Sequence, residues 1–258
     1  MAFAIDDLDS VGAHWRADAL GYADGNDVSA WADSSVNAVD LTATVYPTFH
    51  TNQLNGLPAV RFNGTDHRMV SSVDLPCAGW AAPTVIAVIK TTSTATYNGV
   101  LTLDTVSPAT NPNVYSVWFG STRILYLRGT ANYTSPGSTA SGWCLVSMTH
   151  GLYARGGAKD GLLSPQTSSV GTGDKITANL KPTMGYWPFS GNQYGGFDLA
   201  EMVLLNETTL SERLHVEGSL ADKYAITLAV DHPFFSGPPT TQPGAAGASQ
   251  SFHPLGGA

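Results

Sequence analysis

A series of short β-type segments, separated by turn residues, limits the fold of this chain more than any other feature. The segments are rich in Val, Ile, Thr and aromatic residues, and groups of Gly, Asn, Ser or Pro lie between them. No helical spacing of apolar residues occurs before about residue 210. Because no helices connect the strands, we expect antiparallel sheets that pack on each other. The predicted strands are Ala13–Ala17, Val28–Ala32, Ala59–Asn63, His67–Ser71, Thr84–Thr91, Gly99–Leu103, Val114–Phe119, Arg123–Arg128, Trp143–Thr149, Lys181–Tyr186 and Phe197–Leu205.

One helix is predicted near the end of the chain. Apolar residues recur at helical spacing within Glu212–Tyr224, and Thr209 or Ser211 can serve as the N-cap. We expect this short helix to cover one end of the sandwich.

The composition changes after Leu228. The 28 residues from Asp231 to Ala258 contain five prolines and five glycines, with almost no charge, and such a stretch cannot bury enough apolar surface to fold alone. It is either a flexible linker or an extended arm docked on a neighbouring subunit, with Phe234, Phe235 and Phe252 as anchors. The predicted organisation is an N-terminal extension (residues 1–10), a β-sandwich (residues 11–228) and a Pro/Gly-rich C-terminal arm (residues 229–258).

Charge and hydropathy exclude several classes of protein. Acidic side chains outnumber basic ones by 20 to 12, a net charge of −8, so no surplus of Lys and Arg exists to neutralise nucleic-acid phosphates. The longest apolar run, Val85–Ile89, is far shorter than a membrane span. The first residues contain neither a basic region nor an apolar stretch, so we expect no secretory signal and synthesis in the cytoplasm. Cys77 and Cys144 lack metal-site spacing, and two free buried thiols are favoured over a disulfide.

Three parts of the sequence resemble the concanavalin A-like lectin/glucanase superfamily in its laminin-G-like form, which is common in bacteriophage and bacterial surface proteins. The resemblance covers roughly residues 11–228 and implies a jelly-roll β-sandwich. The order and spacing of its motifs are specific for the fold and weak for function, because this fold hosts lectins, hydrolases and structural modules. The motifs are His14–Ala19 with Ala23–Ser35, Pro47–Phe49 with Asn55–Asp66, and Asp198–Leu205 with Leu210–Glu212 and Glu217–Tyr224.

Catalytic members of the superfamily carry acidic residues at alternate positions of one strand, and this sequence has no such run. Glycoside hydrolysis needs two neighbouring carboxylates, and the nearest pair here, Glu201 and Glu207, is interpreted as surface and turn residues. We therefore expect no enzyme and no catalytic residue. We also expect no cofactor, although the resemblance implies calcium at a loop rim as an alternative. The weak calcium candidates are the turn residues Asp66, Asp104 and Asp160.

Aromatic residues give two candidate ligand-binding sites. In the strand pair Val114–Phe119 and Arg123–Arg128, alternation predicts one apolar face and one face that suits a sugar, with an indole, a phenol and a guanidinium. The alternative is that loops or a neighbouring subunit cover that face. The second site is a glycine-flanked loop whose aromatics either bind ligand or close the end of the core. The predicted ligand-binding residues are Ser116, Trp118, Tyr126 and Arg128 in the first site and Trp187, Asn192 and Tyr194 in the second.

The sequence as a whole favours a non-catalytic, lectin-like domain of a virion-associated decoration, spike or tail-adhesion protein that contacts host-surface polysaccharide. Its expected partners are a host glycan and, through the C-terminal arm, other virion subunits. A homo-oligomer is expected because single sugar sites bind weakly. Two alternatives remain: a purely structural virion component that packs on capsid or tail subunits, and a divergent glycan hydrolase.

Overall fold

The computed structural model describes residues 4–80, 83–92, 98–104, 115–120, 123–128, 131–135, 142–149, 156–160, 162–163, 176, 178–187, 193–206 and 209–235. Within these residues the chain forms β-strands and one α-helix, together with two short 3-10 turns. The strands are β1 (Val11–Arg16), β2 (Ala30–Trp31), β3 (Leu41–Val45), β4 (Thr48–Leu54), β5 (Leu57–Asn63), β6 (Arg68–Ser71), β7 (Thr84–Thr91), β8 (Asn98–Asp104), β9 (Tyr115–Gly120), β10 (Arg123–Arg128), β11 (Ala131–Ser135), β12 (Cys144–Thr149), β13 (Gly156–Lys159), β14 (Leu162–Leu163), β15 (Lys181–Met184), β16 (Tyr186–Trp187), β17 (Gln193–Tyr194) and β18 (Gly196–Leu205).

The strands form two large antiparallel sheets and one small hairpin. Sheet A has the order β14-β13-β12-β7-β18-β5-β4, and β1 also pairs with β18. Sheet B has the order β11-β10-β9-β8-β15-β6-β3-β2, while β16 and β17 form a separate two-stranded sheet. The prediction of an all-β sandwich with one helix is confirmed.

The main core lies between the two sheets. Phe62 and Phe197 of sheet A stack with ring centroids 4.6 Å apart, and both belong to one buried cluster with Met69 and Leu101 of sheet B. Strand β18 is buried along its whole length because sheet B covers one of its faces and the helix covers part of the other. Successive residues of β7 therefore point alternately into the main core and into a second buried cluster on the other face of sheet A, as expected for a strand buried on both faces.

The helix α1 (Leu210–Tyr224) begins at the predicted N-cap, Thr209. The Thr209 side chain accepts from the Glu212 backbone, and the Glu212 carboxylate accepts from the Thr209 backbone, which is a complete capping box. The helix lies on the outer face of sheet A, where Val216 and Leu220 pack in a second buried cluster with Ile86 and Val203. The prediction that it covers an end of the sandwich is therefore wrong, because its apolar stripe faces the centre of a sheet.

The segment after the helix folds back onto the same chain. The imidazole of His232 lies 3.0 Å from the buried Glu217 carboxylate, and Phe234 packs against Gly218 and against the His215 ring. Phe234 is therefore not an anchor for a neighbouring subunit, as the arm interpretation proposed. Phe235 is 46% exposed, and Phe252 lies outside the described residues. Among the described residues, no helix is long and apolar enough to cross a membrane.

Candidate functional site

The strand pair β9–β10 does not bring its four predicted ligand-binding residues to one face. Trp118 pairs with Leu125, and Tyr126 pairs with Val117. Directly opposite residues of an antiparallel pair share a face, so Trp118 and Tyr126 occupy positions on opposite faces. By the same register Ser116 is on the Trp118 face and Arg128 is on the Tyr126 face, which also holds the buried Val117. The prediction of a single polar and aromatic face is wrong for this reason.

In the second predicted site, the structure separates the roles of Trp187 and Tyr194. Trp187 is only 7% exposed, and its Cβ would lie 2.7 Å from a Cβ added at Gly99 of β8. This position favours the alternative in which Trp187 closes the end of the core. Tyr194 is half-buried on β17, where a ligand can reach it. Asn192 lies outside the described residues.

Two residues that the sequence did not single out complete a compact surface group with Tyr194. The Tyr186 and Tyr194 rings have centroids 5.1 Å apart and are tilted by 47°. The guanidinium carbon of Arg68 lies 4.9 Å from the centroid of the Tyr186 ring. We refer to Arg68, Tyr186 and Tyr194 as the rim cluster, because it lies where the small hairpin joins sheet B to sheet A.

The backbone around the rim cluster holds it in place. Gly185 has φ +81°, a left-handed conformation that lets the chain leave β15 and turn directly into β16. A Cβ at this position would clash with the Phe62 ring and lie 2.7 Å from the His67 carbonyl oxygen. The hairpin is therefore packed tightly against the neighbouring β5–β6 connection, which brings Tyr186 beside Arg68.

Arg68 is oriented from the other side by strand β3. Its Nε donates to Thr44 Oγ1 at 3.2 Å, and Arg68 is the register partner of Val45. Tyr46, the next residue, is 49% exposed. A fixed guanidinium beside half-buried phenols can hydrogen-bond a carboxylate or hydroxyl group while an aromatic face packs against a sugar ring.

The carboxylate of Glu201 is part of a buried structural network. It is 1% exposed, it lies 2.6 Å from His14 Nε2, and it accepts bonds from Lys223 and Tyr224. Burial, followed by the Glu201 charge, raises the pKa of the Tyr224 phenol, so this tyrosine is not an activated nucleophile. Glu207, the partner considered in the sequence, lies outside the described residues.

A second buried group, Ser147–Glu217–His232, also contains residue types found in hydrolases. The Ser147 hydroxyl donates to Glu217 Oε1 at 2.5 Å, while His232 bonds to Glu217 Oε2. The carboxylate thus separates the serine from the histidine, whereas a nucleophilic serine needs the imidazole as its direct neighbour. This group attaches the segment after α1 to sheet A.

The three calcium candidates occupy three separate turns or strand ends. Asp66 Oδ1 accepts from the Asn63 side chain, Asp160 Oδ1 accepts from the Leu145 backbone, and Asp104 ends β8. In the described part of the chain, no three His, Cys, Asp or Glu residues form a group that could hold a metal ion. The positions of these three aspartates therefore do not support a shared calcium site.

Comparison with known proteins gives a likeness of fold. No family model matches the sequence, and no curated protein matches it. Trypanosoma rangeli sialidase in complex with sialic acid matches 80% of this chain with a TM-score of 0.53 and 14% identity. The botulinum neurotoxin serotype D ligand-binding domain in complex with N-acetylneuraminic acid matches 80% with a TM-score of 0.51 and 12% identity. A variant of HCR/D matches 80% with a TM-score of 0.54 and 9% identity.

The matched part is a fraction of each of these proteins. This chain spans 32% of the sialidase chain and about half of the other two. At these identities the likeness shows a shared β-sandwich fold, and the concanavalin A-like, laminin-G-like assignment stays a prediction.

The expectation that this chain is not an enzyme is wrong. It depended on a missing run of acidic residues along one strand. Structures of a sialidase, an enzyme, are nevertheless among the matches to this fold. A missing acidic run therefore does not exclude glycan hydrolysis by a chain of this architecture.

Proposed function

We propose that this protein is a carbohydrate-binding β-sandwich domain and that its ligand binds at the rim cluster. The observation that carries the proposal is the position of the Arg68 guanidinium, 4.9 Å from the Tyr186 ring centroid, with the Tyr194 ring 5.1 Å beyond it. Structures with this fold have been solved with sialic acid bound, a sugar that carries a carboxylate.

The physical chemistry of the rim cluster matches such a ligand. Its aromatic rings supply apolar area at low entropic cost, and its guanidinium supplies donors for a carboxylate. Since Arg68 is held by Thr44 and lies over a ring, little side-chain entropy is lost when a ligand binds.

Binding of sialyllactose, compared with neutral lactose, tests the proposal by calorimetry. We expect saturable binding of sialyllactose that weakens at least about tenfold in Arg68→Gln, as for a lost charged hydrogen bond. Tyr194→Ala should weaken binding of both sugars. The matched control is Lys181→Gln, which removes the same charge from a strand of the same sheet and should leave the affinity unchanged. A loss of affinity in Lys181→Gln equal to that in Arg68→Gln, or no binding to either sugar, would contradict the proposal.

A glycan hydrolase is the second candidate, favoured by the sialidase matches. The assay is release of free sialic acid from sialyllactose during long incubation with the protein at high concentration. Release that follows the protein through purification would assign a hydrolase, and binding without release would assign a lectin-like domain.

The wider role that we propose is contact with host-surface polysaccharide as part of a virion, with several copies of the chain acting together. The support for this role is the sequence resemblance to phage and surface proteins and the gain in avidity from multivalency. Detection of the chain in purified particles by mass spectrometry would support it. Detection of the chain solely in the lysate from which the particles have been removed would contradict it.

A further inference from the structure

A second charged group lies on the outer face of sheet A, away from the rim cluster. Asp198 on β18 is the direct register partner of Arg61 on β5 and of Lys90 on β7. Trp143, immediately before β12, completes the group because its ring centroid lies 5.5 Å from Lys90 Nζ. We call Arg61, Asp198, Lys90 and Trp143 the outer-face row.

Asp198 fixes the two cations of the row. Its carboxylate is fully buried, and Arg61 binds it with two bonds, Nε to Oδ1 at 2.6 Å and Nη2 to Oδ2 at 2.9 Å. Lys90 Nζ lies 3.1 Å from Oδ2. Burial acts to raise the pKa of Asp198, but the bonds from Arg61 and Lys90 outweigh it and lower the pKa. The aspartate is therefore ionised, and the row carries a net charge of about +1 at neutral pH.

Stability alone does not account for such a row. Taking a carboxylate out of water is costly, and buried ion pairs are often no more stabilising than well-packed apolar residues of similar size. What the arrangement achieves is a fixed spacing of two cationic groups whose side chains remain 39% and 31% exposed. Cations held in place before a ligand arrives bind it with less loss of entropy.

The row has donors left for a ligand. Asp198 takes two of the five N–H groups of Arg61, and it takes one of the three of Lys90. Within the described residues, no other acceptor bonds to either group. Trp143 is half-buried, so part of the indole beside these donors can pack against a ligand.

The row lies beside the helix layer on the outer face of sheet A. Two positions along each strand from the row lie Ala59, Ala200, Val88 and Leu145, which are all buried in the cluster beneath α1. Since alternate residues of a strand share a face, the row begins where the helix layer ends. Ile226, which follows the helix, also packs against this cluster and is partly buried.

We infer that the outer-face row is a second binding site, which takes an acidic saccharide. Its carboxylate or sulfate binds Arg61 and Lys90, and its sugar ring packs on Trp143. An indole beside two fixed cations suits a flat, partly apolar ring that carries an anionic group. The site lies on the opposite sheet from Arg68, so its occupancy does not depend on the rim cluster.

The experiment uses the full chain with Arg68→Gln as background, so that the rim cluster no longer offers a guanidinium to an anionic probe. Three probes are used. The first is a tetrasaccharide of alternating glucuronate and N-acetylglucosamine, and the second is its carboxyl-reduced form, which is neutral. The third is a tetrasaccharide that carries sulfate groups and no carboxylate. Binding is followed by calorimetry and, in every chain that retains Trp143, also through the indole N–H resonance of that residue. We expect a saturable shift with the carboxylated or the sulfated probe, which identifies the preferred anion, and none with the reduced form.

Four variants separate binding from folding. Lys90→Met and Trp143→Leu should each weaken binding by about fivefold or more, as for the loss of one exposed charged or aromatic contact. Lys159→Met removes the same charge from another strand of sheet A and should have no effect. Asp198→Asn raises the charge of the row to about +2. We expect the added attraction for an anion to exceed the loss of fixed spacing, so that binding strengthens, which a purely structural row would not do. Equal binding of the neutral probe, or unchanged affinity in both Trp143→Leu and Asp198→Asn, would overturn the proposal while leaving the rim cluster untested by it.

Discussion

Nε2 of His14 lies 2.6 Å from Oε1 of Glu201, although 187 positions separate the two residues. Nδ1 of the same imidazole bonds to Asp6, so one buried ring connects the N-terminal segment, β1 and β18. Lys223 and Tyr224 at the end of α1 bond to the second oxygen of Glu201. This network joins the two ends of the folded domain to its central strand.

The first prediction concerns stability against pH. Burial acts to lower the pKa of His14, but its bonds to Asp6 and Glu201 outweigh burial and raise the pKa above 6.5. A raised folded pKa means that the contribution is complete below 6.5 and is lost as pH rises through the folded value. We therefore expect the free energy of unfolding, measured by urea denaturation, to fall as the pH rises above 6.5.

The variant His14→Gln tests this assignment. It should lower the free energy of unfolding by about 1 to 3 kcal/mol near pH 6, since it removes the imidazolium between Asp6 and the buried Glu201 carboxylate, and it should flatten the decline above pH 6.5. His50→Gln, at a half-buried position on the edge strand β4, serves as the control. A pH profile of His14→Gln parallel to that of the unmodified protein would contradict the assignment.

The second prediction compares two adjacent phenylalanines. Phe234 packs on Gly218 and the His215 ring, whereas Phe235 is 46% exposed. Phe234→Ala should destabilise the fold by about 2 to 3 kcal/mol, at the lower end of aromatic truncations because the site is partly buried. Phe235→Ala should change stability by less than about 0.5 kcal/mol. Equal urea-denaturation midpoints for the two variants would show that the segment after α1 is not docked on the sheet.

The third prediction concerns the turn that positions Tyr186. Gly185→Ala adds a Cβ that meets the Phe62 ring and the His67 carbonyl, and we expect a loss of stability together with a loss of sugar binding. Gly25→Ala is the control, because Gly25 also has a positive φ but has no atom within 4 Å of an added Cβ. The control should cost about 1 kcal/mol and should bind sugar normally. Normal sugar binding by Gly185→Ala would contradict the claim that this turn positions the binding site.

The fourth prediction concerns the two cysteines, which are free and buried as the sequence predicted. Burial raises the pKa of Cys77 to about 11 and that of Cys144 to about 12, and thiolates are the reactive species. Iodoacetamide at about pH 8 should therefore label neither thiol in the folded protein, whereas both should react in denaturant. Mass spectrometry counts the adducts, and rapid labelling of the native protein would show that the thiols are accessible.

The fold was largely predictable because its strongest signals are local. The limits of β7 match the predicted Thr84–Thr91, since a strand buried on both faces is apolar throughout. The helix was identified by its apolar spacing and by the Thr209 cap. Strands β3 and β4 were missed because most of their residues are exposed or half-buried and thus give no alternating pattern.

The candidate site depended on pairings that the sequence does not display. Arg68 and Tyr186 lie on different strands, and the alignment of β6 with β15 brings them together. In β9–β10, Gly120 pairs with Arg123, so an even-numbered residue of one strand faces an odd-numbered residue of the other. Alternation within each strand cannot supply that offset, and for this reason Trp118 and Tyr126 were assigned to the same face.

The central claim is that a sugar binds at the rim cluster, and the most direct measurement is a map of chemical-shift changes in isotope-labelled protein during titration with sialyllactose. The account predicts saturable shifts centred on the Arg68 Nε–H group and on the Tyr186 and Tyr194 amides, all of which disappear in Arg68→Gln. Saturable shifts centred elsewhere, or none up to the highest sugar concentration, would contradict it.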